Sequence, residues 1–137
     1  MSLNRIRTSL LFVLNYRWIG RWIIGVAIIH MGFTFVLFPE HINRIFSEGF
    51  FNTGLIDFKI GKAVWFFLFG VPLLIVGYMI DYEEKRQTMP PFREIPIILL
   101  FLMTFLGVVL IPTSGFWLMI PALVGLIVKN KIANECY

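Results

Sequence analysis

The 137-residue chain reads as all-α: an integral membrane four-helix bundle, one transmembrane domain over 1–137, with both termini cytoplasmic. Three observations lead there. Hydrophobic residues make up 58% of the chain and charged ones 15%, at a mean hydropathy of +0.83. Soluble domains run at roughly 45–50% and about 25%, and a soluble core of this size has no room for fifteen Phe and four Trp. Uncharged stretches recur along the chain, and Lys and Arg gather where those stretches end.

Residues 3–16 have the makings of an amphipathic helix on the inner membrane surface, with Arg5 and Arg7 among the headgroups. Within them Leu10–Leu14 is too short for a signal peptide's apolar region of roughly 7–15 residues. The first span covers 18–38, closed by Pro39, with Arg21 near enough to its start to snorkel. Beyond it Ile42, Ile45, Phe46 and Phe50 recur at helical spacing, predicting a short helix on the outer face that ends at Gly49. Asn52-Thr53-Gly54 then reads as a turn.

The second span, 63–80, carries no charge. Neither does Ile95–Val128, which as one helix would be ~50 Å long against a hydrocarbon core of ~30 Å. Pro112-Thr113-Ser114-Gly115 divides it into spans 95–111 and 115–128. Pro121 then falls inside the fourth span, where a neighbour has to satisfy the carbonyl it frees. Gly25 and Gly32 in the first span, and Gly70 and Gly77 in the second, are each seven apart, a stripe suited to close helix approach.

Orientation follows from the cations. Arg5, Arg7, Arg17, Arg21, Lys85, Arg86, Arg93, Lys129 and Lys131 fall on one side, and Arg44, Lys59 and Lys62 on the other. Positive loops stay inside, so both termini are cytoplasmic. Trp18, Trp22, Tyr78 and Tyr82 then mark the inner boundary, and Trp65, Phe116 and Trp117 the outer one.

The same assignment accounts for the net charge of +4 and pI near 9.5 without nucleic acid. A lone Cys136 excludes a disulfide framework and dithiol chemistry. With only two His and a Cys misplaced beside the C-terminus, a zinc site of three or four ligands is not expected. No phosphate loop or nucleophile elbow is present, so no catalytic residue, metal or cofactor is assigned.

Four motif pieces resemble a known group: His30-Met31-Gly32, Glu48-Gly49-Phe50-Phe51-Asn52, Trp65-Phe66-Phe67-Leu68-Phe69-Gly70 and Pro112-Thr113-Ser114-Gly115-Phe116-Trp117-Leu118. Together they are similar to a family of small uncharacterised bacterial four-helix membrane proteins, DoxX-like in architecture, over residues 18–128. The resemblance implies that fold and a bacterial inner membrane, and no activity.

One ionisable residue lies deep in a span. His30, with Thr34 and Ser114 as expected partners, is the polar centre of a pocket toward the outer leaflet, and Phe33, Glu48, Asn52, Trp65, Phe116 and Trp117 complete it. Polar groups among apolar walls suit a small-molecule site. The function expected is a non-enzymatic membrane protein binding a lipophilic molecule, or an accessory subunit of a membrane complex. The alternatives are a small dimeric transporter, or an enzyme acting through His30 on a lipid-like substrate. A proton-coupled transporter would want a buried carboxylate, and the four spans contain none. Partners are membrane lipids, a lipophilic ligand, and a second copy or larger complex.

Overall fold

The computed structural model describes residues 17–51, 54, 57–86, 94–112 and 114–135; the segment 3–16, Asn52, Thr53 and Cys136 lie outside them. Among the described residues the chain is entirely helical. The elements are α1 (Ile19–Leu37), α2 (Pro39–Glu48), α3 (Phe58–Arg86), α4 (Glu94–Leu110), a 3-10 turn (Gly115–Met119) and α5 (Ile120–Glu135). By length and composition, α1 and α3 are long and apolar enough to cross a membrane, while α4 is a shorter apolar helix.

Pro39 separates α1 from α2. A residue before proline is pushed out of the helical region, and Phe38 sits at φ −128°, ψ 44°. Pro39 itself opens α2, where a missing N–H costs nothing. α2 runs to Glu48 and stops at Gly49, whose φ of 99° suits a residue without a Cβ.

α3 outruns the apolar stretch at both ends. Asp57 caps its start, accepting the Lys59 backbone N–H at 2.8 Å while its carbonyl takes that of Gly61 at 2.9 Å. At the other end the helix continues through Asp81 and Glu84 to Arg86. The uncharged run 63–80 marked what a membrane could cover, not where the backbone hydrogen bonds stop.

The helices α1 and α3 run antiparallel and very close. A Cβ placed on Gly70 would overlap the Met31 side chain, and one on Gly77 would come within 2.9 Å of the Ile24 backbone nitrogen. The stripe expected on α1 is different. Nothing lies within 4 Å of a Cβ at Gly25 or Gly32, so neither sits in this contact. Gly20 takes that place, with the Asp81 backbone against it. Seven-residue spacing selects a face but does not say which neighbour the face meets.

Pro121 also differs from expectation. It is the second residue of α5, directly after the 3-10 turn, and as a proline it has no hydrogen to offer the Leu118 carbonyl three residues back. That oxygen instead accepts the Trp22 indole N–H at 2.7 Å. The bond joins two residues expected at opposite membrane boundaries, because the turn between α4 and α5 does not reach the Pro39 end of α1. Phe116, beside Phe69 with ring centroids 6.2 Å apart, tells the same. Eleven residues of α3, about 16 Å of helix, lie beyond Phe69 on that side.

The core gathers where α1 begins and α3 ends, with α5 packed alongside. It comprises Ile19, Ile23, Val26 and Ala27 of α1, Leu73 and Ile80 of α3, and Met119, Ala122, Leu123 and Leu126, with Leu100 of α4. Away from it, the Pro39 half buries Ile60 and Ala63 of α3 and Ile45 of α2, which packs on α3, and carries most of the paired rings.

Candidate functional site: an aromatic ladder and a charged clasp

Two constellations stand apart. The first centres on His30. Its ring stacks on Phe66 at 4.1 Å with the planes 24° apart, and meets the edge of Phe69 at 6.0 Å. Phe66 and Phe69 share a face of α3 at i, i+3 spacing. Nε2 lies 2.9 Å from the Phe66 carbonyl oxygen. A carbonyl only accepts, so Nε2 is the donor, and in the neutral ring Nδ1 is left as an acceptor.

The contacts continue in both directions. Phe69 meets Phe116, whose ring lies flat over Gly107 of α4, where any Cβ would overlap it. Phe66 meets Phe38 at 5.8 Å, and Phe38 meets His41 of α2 at 6.2 Å. Six rings from α1, α2, α3 and the 3-10 turn thus form a continuous ladder. His30, Phe66, Phe38, His41 and Phe116 are half-buried and Phe69 is exposed.

Of the expected pocket residues, the ladder holds His30 and Phe116, joined through Phe69. The other members do not gather there. Thr34 is fully buried and Ser114 half-buried, and neither hydroxyl has a hydrogen-bond partner among the described residues. His30 uses the Phe66 carbonyl in their stead. Phe33 and Trp65 are exposed, Trp65 by 74%. Trp117 is exposed and donates its indole N–H to the Pro112 carbonyl at 2.8 Å.

Glu48 has gone to a different partner. It accepts from Arg44 at 3.0 Å one helical turn back, and Arg44 reaches Asp57 at 2.7 Å, fastening α2 to the start of α3. Glu48 first, and Asp57 after it, raise the Arg44 guanidinium above its ordinary value. Asp57 is held below its ordinary 3.8, chiefly by the Lys59 backbone N–H, with Arg44 adding to it. A carboxyl lowered on folding contributes stability above its unfolded value and loses it as pH falls through the folded one. This fastening should therefore be complete above pH 3.8 and lost only below it. Carbon-13 titration of Asp57 should find a midpoint under 3.8; one at or above that value would remove the pairing.

The second constellation was not among the sites expected from the sequence. At the opposite end, Glu84 has a side chain only 1% exposed. One oxygen accepts the Gly20 backbone N–H at 3.0 Å, and the other pairs with Lys129, itself 9% exposed. Trp18 provides no side-chain cap for α1, so Glu84 supplies from another helix the negative charge and acceptor that a helix start favours. Beside it Arg17 bonds Asp81 at 3.0 Å, and Arg21 lies 3.5 Å from the other Asp81 oxygen. Asp81 and Glu84 at i, i+3, facing Arg17 and Arg21 at i, i+4, were the available signal. Counting those cations as headgroup contacts concealed it.

Neither constellation resembles a catalytic centre. The carboxylates of the clasp are occupied by N–H donors and cations, and the ladder's titratable rings are His30 and His41. Among the described residues, no three His, Cys, Asp or Glu side chains come together as a metal would require.

A family model described as a family of unknown function (DUF6463) matches residues 15–133, a range that includes the ladder and the clasp. No curated protein and no solved structure matches the chain. The match agrees with the expected likeness to an uncharacterised family, and a DoxX-like relationship has no counterpart in it.

Proposed function

The chain belongs to the family of unknown function DUF6463, and from that premise we propose that it is a non-enzymatic multi-pass membrane protein that holds a lipophilic molecule against the His30 ladder. In the same reading the four-helix arrangement sits in a bacterial inner membrane, DoxX-like in outline, with α4 and α5 entering it as a shallower hairpin beside α1 and α3. Its first support is exposure. Only 33% of the apolar window of α1 and 28% of that of α3 is buried, where the core helix of a soluble protein would be mostly buried. α4 exposes Ile95, Ile98, Leu99, Phe101, Leu102 and Phe105 along its length. Surface of this kind needs a bilayer or a large partner to cover it.

The observation that carries the ligand is the ladder itself: six rings in contact, flanked by exposed apolar side chains, with a hydrogen-bonding ring in the middle. Apolar walls with few polar groups are the usual makeup of a small-molecule site. A transporter gains one observation, the buried carboxylate of Glu84. Both of its oxygens are already engaged, which makes it a structural tie rather than a proton carrier.

Cysteine labelling in a Cys136→Ser background tests the membrane arrangement. Glu48→Cys should react in intact cells, and Lys85→Cys only after permeabilisation. Labelling of Lys85→Cys from outside would overturn the orientation, and recovery of the protein in the soluble fraction would end the membrane reading. Mass spectrometry of the purified protein should find a lipophilic molecule that Phe69→Ala loses.

A further inference from the structure

We infer that the ladder selects an uncharged, elongated lipophile bearing a hydroxyl, an isoprenoid or other long-chain alcohol, whose O–H donates to His30 Nδ1. The inference rests on the lipophile-binding reading above and adds the chemical class. Three features specify it. The Phe66 carbonyl takes the Nε2 hydrogen, so the neutral ring offers a ligand an acceptor and not a donor. This favours an alcohol over a ketone, ester or ether.

Charge is the second feature. The stretches 22–38 and 63–80, which carry His30, Phe66 and Phe69, contain no Lys, Arg, Asp or Glu. The charged pair at the far end of the strip, Arg44 and Asp57 within electrostatic reach of His41, is closed on itself, and an isolated charge in apolar surroundings is costly. The head group must be neutral.

Shape is the third. The rings are strung from Phe116 through Phe69, His30, Phe66 and Phe38 to His41, a strip and not a bowl. A chain can lie along such a strip and bury apolar surface at each ring. His30 is the twelfth of the nineteen residues of α1, well away from either end. A hydroxyl at that depth has no water to bond, so one acceptor there discriminates strongly between molecules of equal hydrophobicity.

The test compares farnesol with farnesyl methyl ether on the full-length protein in nanodiscs, each displacing a tritiated, diazirine-bearing farnesol. Native protein should prefer the alcohol about fivefold, the effect of one net hydrogen bond. His30→Phe keeps a ring in the ladder but no acceptor, and should bind both compounds alike. Equal affinities in the native protein would overturn the hydroxyl selection and leave lipophile binding intact. A preference persisting in His30→Phe would overturn the role of His30. Failure of both compounds to bind, or of the alcohol alone, would remove this inference; failure of both would remove the lipophile reading too if the purified protein carries no lipophile. The native comparison stands without any variant, so a poorly folding His30→Phe does not blunt it.

Discussion

Glu84→Gln should cost about 3 kcal/mol of stability, the lower part of the range for breaking a buried pair, because it removes the carboxylate that Lys129 faces. The amide can still accept the Gly20 N–H, so the loss reports on the charge and not on the α1 cap. Lys129→Met should cost a similar amount by leaving Glu84 unpaired. The double change Glu84→Gln with Lys129→Met should recover most of the loss, since neither buried charge then remains and the amide still accepts the Gly20 N–H. The cycle is read by thermal melting in detergent, and the coupling between the two sites is the quantity of interest. Single changes that leave the melting point in place would mean that water reaches the pair and that the clasp does not hold the three helices together.

Gly20→Ala should destabilise by roughly 2–3 kcal/mol, the upper part of the range for overpacking. The added Cβ would meet backbone atoms of Asp81, which cannot swing aside as a side-chain tip can. Relief requires α1 and α3 to separate at that end, which would also lengthen the bond from Gly20 to Glu84. Gly32→Leu is the control. Nothing lies within 4 Å of a Cβ there, so it should cost little, offset by a helix-propensity gain of up to about 1 kcal/mol, and leave stability unchanged or raised. The tryptophans Trp18 and Trp22 flank Gly20, and their fluorescence should shift in Gly20→Ala and not in Gly32→Leu. If Gly32→Leu proved the more damaging of the two, the register of α1 on α3 described above would be wrong.

Asp57 shows how far a sequence signal reaches. A carboxylate just ahead of an apolar run can cap a helix by local rules, and both its backbone partners lie within four residues. The uncharged run from 63 set the expected boundary instead, and so hid the cap. The same locality made Pro39, Gly49 and the break at 112–115 readable in advance. His30 stood out because a lone imidazole in an apolar stretch is rare, yet its partner was misjudged. Thr34 and Ser114 have side chains that sequence reading can see. The Phe66 carbonyl is a backbone group that any residue supplies, and it came within reach only because Gly70 lets α1 approach α3.

The sequence by itself determined the helical class, two helices fit to cross a membrane, the short helix after Pro39 and the prominence of His30. These rest on composition, period and backbone chemistry, which act over a few residues. Tertiary structure alone decided which glycine of α1 meets α3, how far the α4–α5 turn reaches, that Trp22 finds the carbonyl left free by Pro121, and that Glu84 closes on Gly20 and Lys129. Each depends on the register between helices 36 to 96 residues apart in the chain. That register is set by side-chain packing summed over whole faces, and no local pattern encodes it.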